Sequence, residues 1–152
     1  PYEMDKRIRE WCFGSLDGGY DGELFDGVLP RTDAYKGKSA EELTYEDIAK
    51  GLLEVDTAGW AEPWEVLSKR ILDGFFDAAK KAEANGAENI VIVSHGMTIA
   101  TFIKLLDSRR PKFQGLDNGS VTHLTYSDGN FSIGEIGDMS YRELGREILN
   151  AE

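Results

Sequence analysis

The chain has 152 residues, enough for one domain with its own core, and 41% of them are hydrophobic. Seventeen basic against twenty-eight acidic residues give a net charge of −11, which argues against a nucleic-acid partner or an anionic membrane surface. No apolar run approaches the roughly 20 residues of a membrane span, no leader pattern is visible, and the lone Cys12 cannot form an internal disulfide, so a soluble cytoplasmic protein is expected.

The chain opens Pro1-Tyr2-Glu3, without an initiator methionine, and Pro1 to Arg9 is too short and charged to assign. Arg9 to Gly19 reads R-E-W-C-F-G-S-L-D-G-G. Glycines at 14, 18 and 19 permit tight turns, so a compact loop presenting Glu10 is expected. Residues 21–65 carry 12 acidic and 4 basic side chains, a local charge of −8, and read as a solvated acidic insertion over the site. Within them Ser39 to Leu53 is expected to be helical, with Ser39 and Glu42 as a capping box and Leu43, Ile48, Leu52 and Leu53 toward a core.

Pro63 suits a first helical turn. After it Val66, Leu67, Ile71, Phe75, Ala78, Ala79 and Ala82 form an apolar stripe ending at Asn85-Gly86, a left-handed stop. Ile90 to Val93 is an uninterrupted β-branched run, which suits a parallel strand buried on both faces. It breaks at Ser94-His95-Gly96, and Ile99, Phe102, Ile103 and Leu106 then recur at helical spacing until Arg109-Arg110-Pro111 ends that helix. His95 therefore falls between a strand's carboxyl end and a helix N-terminus, where unpaired backbone N–H groups favour an anion. Ser120 to Tyr126 and Asn130 to Ile136 read as strands joined by Asp128-Gly129. Ser140 with Glu143 makes a second capping box, opening a last helix to about Asn150.

Two motifs, R-E-W-C-F-G-S-L-D-G at 9–18 and V-I-V-S-H-G-M-T at 91–98, together resemble the histidine phosphatase superfamily, also called the phosphoglycerate mutase-like family. L-D-N-G-S-V-T-H-L-T-Y at 116–126 adds to the resemblance, which covers essentially the whole chain as a single domain, residues 1–152. It implies a three-layer α/β/α sandwich with a mostly parallel sheet. Glu10 then corresponds to the family's proton donor and acceptor, and His95 to the second histidine of its phosphate pocket. Gly96 and Met97, which open the following helix, are expected to bind the phosphate or substrate. Phosphoryl transfer needs positive charge and N–H donors around three oxygens and a proton for the leaving alkoxide, and these residues supply both. No metal or other cofactor is implied, since His95 and His123 lack ligand spacing.

The family's nucleophile is a histidine in an R-H-G motif, which this sequence lacks. His123 lies in a hairpin strand without that motif and is read as structural. The chain is therefore expected to be the carboxyl-terminal portion of a family member, incomplete at the N-terminus and inactive alone. An N-terminal segment or a second copy is expected to cover the exposed sheet. Glu62 and Arg70 frame the start of the long helix, where the family often has Gly-Glu-Ser and this chain has Ala-Glu-Pro, with a support role or, for Glu62, a helix-dipole role open, and Asn118 is read as a family asparagine or a turn residue. Trp11 and Phe13 are expected to pack the loop, and Cys12 to be an inert thiol.

The implied substrate is a small phosphorylated metabolite. Phe13 in place of the mutases' tyrosine, and Arg31 as the only arginine of the acidic segment, favour a phosphatase over a phosphoglycerate mutase. A non-catalytic binding or regulatory module is the alternative of another class. A serine hydrolase at Ser94 is excluded because residue 92 of the required G-x-S-x-G is Ile.

Overall fold

The computed structural model describes residues 2–110 and 115–151; the expected break at Pro111 lies outside them. Helix α1, Tyr45–Val55, opens on a reciprocal cap: the Thr44 hydroxyl accepts the Asp47 N–H and the Asp47 carboxylate accepts the Thr44 N–H. The expected start at Ser39 is corrected. The Ser39 N–H does donate to Glu42, at 2.8 Å, but it closes a turn. Lys38 pairs with buried Asp47 at 2.5 Å, and burial of Tyr45 fixes the helix start six residues later than its first candidate cap.

Helix α2, Trp64–Ala84, follows Pro63 and stops at Asn85-Gly86. Gly86 has φ +70°, and the Gly86 and Ala87 N–H groups close back on the Glu83 and Ala82 carbonyls, each at 3.0 Å. Leu67, Ile71, Phe75 and Ala79 of its stripe are buried, whereas Val66 points to solvent. Helix α3, Gly96–Leu106, sets Phe102 flat against Phe75, ring centroids 4.1 Å apart.

Strands β1, Leu124–Ser127, and β2, Asn130–Ile133, form an antiparallel hairpin. Asp128 and Gly129 both take positive φ, as a two-residue primed turn requires. Pairing continues through His123, opposite Gly134 and Glu135, to an isolated bridge between Val121 and Asp138. Phe131 packs edge-on to both Phe102 and Phe76, so the hairpin closes over α2 and α3. Helix α4, Ser140–Asn150, begins without the expected Ser140–Glu143 box: the Asp138 carboxylate takes the Ser140 N–H and hydroxyl instead. Its apolar residues Tyr141, Leu144, Ile148 and Leu149 are exposed.

The fold is α/β, but the parallel, three-layer sheet expected from the sequence is not formed among the described residues, whose one sheet is the β1–β2 hairpin. The expected buried strand at 90–93 joins no ladder; Val91 is 91% and Val93 86% exposed. The reason is that a strand draws its stability from hydrogen-bonded neighbours and covered faces, not from its own composition. The acidic segment is more than a solvated cover. It contributes Leu24, Leu29, Tyr35, Tyr45, Ile48, Ala49 and Leu52 to the core, alongside Trp11, Leu67, Ile71, Phe75, Ala100 and Phe102. Among the described residues no helix is long and apolar enough to cross a membrane.

Candidate functional site

The glycine-bent loop and the start of α3 meet through Glu10. Its carboxylate accepts the N–H of Met97 at 3.1 Å and of Thr98 at 3.0 Å, together with the N–H of Trp11 at 2.9 Å. His95 is the N-cap of α3 but contributes no side-chain cap bond. Glu10, from 87 and 88 positions earlier in the chain, therefore satisfies helix donors that a local side chain would otherwise cap. A carboxylate there is also favoured by the helix dipole.

His95 is exposed and stands two residues before the first of those donors. A Cβ built on Gly96 would meet nothing within 4 Å, so open space borders the imidazole and the helix start. The structure thus brings Glu10, His95, Gly96 and Met97 to one place. The Met97 N–H, one of those expected to hold an anion, is already held by the protein's own carboxylate, as is that of Thr98 beside it.

The backbone that carries Glu10 is fastened by side chains rather than by a β ladder. Arg70 donates to the carbonyls of Arg7 at 2.8 Å, Arg9 at 3.0 Å and Glu10 at 3.1 Å. Ser94 donates to the Ile8 carbonyl at 2.7 Å, and Thr98 to the Arg9 carbonyl at 2.7 Å. Thr98 Oγ also lies 3.0 Å from the Glu10 carboxylate, but its single proton is committed to the shorter contact. Gly74 lets α2 approach this segment, since a Cβ there would come within 2.8 Å of Ile8. Downstream, the Trp11 indole N–H donates to Thr101, 3.1 Å away, which ties the ring to α3.

The other end of the loop is anchored by Asp56, just after α1. Its carboxylate accepts four backbone N–H bonds, from Ser15, Ala58, Trp60 and Ala61, at 2.6–2.8 Å. These bonds, that of Ala61 foremost, hold its carboxyl far below the usual carboxylate range. A group depressed on folding contributes stability that is present above its unfolded pKa, about 4, and is lost as pH falls from there through the folded value. The protein is therefore expected to lose stability steeply below pH 4, and Asp56→Asn, weaker at pH 7, to lose less over that window. Urea midpoints for both proteins at pH 7, 4 and 3 measure this; parallel declines would refute it.

Of the residues with weaker claims, buried Arg70 and half-buried Glu62 form an ion pair at 2.7 Å. Cys12 is half-buried, its Sγ 3.6 Å from an Asp17 carboxylate oxygen, and burial pushes its thiol pKa up, away from the reactive thiolate. Phe13 packs against the core. His123 Nε2 lies 3.5 Å from Asp138, within the hairpin. Asn118 precedes Gly119 in a turn and its carbonyl accepts from Arg142 at 3.2 Å. Sequence reasoning gave Ser94, Thr98 and Asp56 no supporting part in this site. The signal for Thr98 was a hydroxyl in the first turn of an otherwise apolar helix.

A family model described as histidine phosphatase superfamily (branch 1) matches residues 1–139. Among solved structures, that of a phosphoglycerate mutase from Bacillus anthracis str. Sterne is similar, with a TM-score of 0.82 and 31% sequence identity. The match covers 95% of this chain and 63% of that one, so the chain spans less than two thirds of the mutase's length. No curated protein sequence matches.

Proposed function

Because the chain belongs to the histidine phosphatase superfamily, we propose that Glu10 and His95 form part of a metal-independent site that hydrolyses a small phosphate ester through a phosphohistidine. The observation that carries this is the convergence of the Glu10 carboxylate on the first N–H groups of α3, next to exposed His95. In this assignment His95 and the Gly96 and Met97 backbone contact the phosphoryl oxygens. Glu10 swings from its resting hydrogen bonds to hand a proton to the leaving oxygen, then takes one from the attacking water.

Neither His95 nor His123 stands in an R-H-G, so the nucleophile is a histidine outside these 152 residues, and the chain alone turns over no ester. The segment bearing it pairs with the Ile90–Val93 run, which joins no ladder, completing a parallel sheet between helical layers and shielding Val91 and Val93. A second copy covering the same run is the other arrangement. The assembled protein is cytoplasmic.

The 31% identity to a phosphoglycerate mutase supports a second reading, in which the phosphoryl group returns to another hydroxyl of the same acid. Phe13, the lone Arg31 and the acidic segment favour water as acceptor. The test has two arms. Inorganic phosphate or vanadate added to the 15N-labelled chain is expected to shift the amides of His95, Gly96 and Met97; no response there removes the phosphate-site assignment. The purified chain, shown by mass spectrometry to hold no second polypeptide, is expected to leave p-nitrophenyl phosphate intact, and robust turnover would refute the external nucleophile. Phosphate binding that never yields phosphate release or an isomer, even with an R-H-G segment supplied, would mark a binding module.

A further inference from the structure

We infer that Arg70, braced by Glu62, is the residue that positions Glu10 for this chemistry, an inference that rests on the proton-transfer role given to Glu10 above. Arg70 is 9% exposed, and each of its five guanidinium N–H donors has an acceptor available. Nε and one terminal nitrogen reach the Glu62 carboxylate, at 2.9 and 2.7 Å. The remaining donors take the carbonyls of Arg7, Arg9 and Glu10 itself. Arg9 closes the arrangement from outside, its guanidinium 2.7 Å from Glu62.

The geometry matters because of what the 7–10 segment lacks. It runs past Ser94 and Thr98 with its carbonyls paired to side chains, so no ladder sets its register. Arg70 takes three of those four carbonyls with one rigid, planar group rooted in α2. Displacing that group would let the Glu10 Cα slide along α3 even if the core stayed intact. Lysine cannot replace it, because an ammonium offers three donors around one point and cannot span a carboxylate and three carbonyls. Glu62 turns the guanidinium fork and balances its charge, so the two residues act as a pair.

The test reads the Glu10 contact directly in the ligand-free chain. In the wild-type background, Glu10→Gln is expected to shift the Met97 and Thr98 amide resonances and to speed their hydrogen exchange on the order of tenfold, as loss of a charge-assisted hydrogen bond would. In an Arg70→Lys background that keeps its circular dichroism and a cooperative melt, those amides are expected to have moved already, and adding Glu10→Gln to change them little. Arg70→Lys with wild-type Met97 and Thr98 amides, still fully responsive to Glu10→Gln, would overturn the inference. If Arg70→Lys does not fold, Glu62→Gln is read the same way with the same two outcomes. Phosphate binding is measured separately: its absence would sink the functional proposal and leave only the hold of Arg70 on Glu10 standing, whereas unmoved amides would remove that hold and leave the functional proposal intact.

Discussion

Phe102→Ala is expected to lower the stability of the chain by about 3–5 kcal/mol, the range for truncating a fully buried aromatic side chain. At roughly 2–4 °C per kcal/mol for a chain of this size, Tm should fall by about 6–20 °C. Phe102 is 0% exposed and is the common neighbour of three rings. It stacks on Phe75 at 4.1 Å and an 11° tilt, meets Phe131 edge-on at 5.2 Å and Phe76 at 6.3 Å. Those partners come from α2 and from the hairpin, so one truncation loosens the contact of α3 with both. The cavity cannot refill easily, because the stacked Phe75 is itself packed in the core and Phe131 is fixed by the hairpin register opposite Tyr126. Since α3 begins at the Glu10 contacts, exchange at the Met97 and Thr98 amides should quicken as well. A thermal melt within a degree or two of wild type would show that the three elements are held by something other than this cluster.

The features legible in the sequence were those decided within a few residues. Asn85-Gly86 ends α2 because a left-handed glycine lets two N–H groups fold back on carbonyls one turn earlier, and Asp128-Gly129 makes a hairpin because both residues tolerate positive φ. Two successive capping-box pairs, Ser39 with Glu42 and Thr44 with Asp47, show where that locality fails. The Thr44 pair bonds in both directions and the Ser39 N–H donates to Glu42 in one, and the helix start is decided by Lys38 and by burial of Tyr45. Ile90 to Val93 has a strand's composition, yet whether it is a strand depends on a neighbour that no pattern in those four residues can supply. At the site, Glu10 and His95 were readable because each sits in a motif. The hold on Glu10 was not, because Arg70 acts on carbonyls 60 to 63 positions away and backbone carbonyls leave no trace in a sequence.

Gly14→Ala is expected to be the most damaging single change in the Glu10 loop, costing about 3 kcal/mol or more, and Gly18→Ala is its internal control. Both glycines have positive φ, +64° and +81°, so alanine at either pays the roughly 1–2 kcal/mol of a left-handed L-residue. Their surroundings differ. A Cβ on Gly18 would meet nothing within 4 Å, whereas one on Gly14 would lie 2.2 Å from the Asp56 carboxyl carbon and 2.4 Å from both of its oxygens. That carboxylate cannot step aside alone, because it holds the Ser15 N–H across the loop and three more N–H groups in its own turn. Moving it strands those donors; leaving it in place forces the loop outward and carries Glu10 with it. Urea midpoints should therefore order wild type above Gly18→Ala above Gly14→Ala, with the Met97 and Thr98 amides disturbed in the last far more than in the second. Equal losses for the two alanines would mean that backbone conformation alone governs this loop and that Asp56 does not brace it.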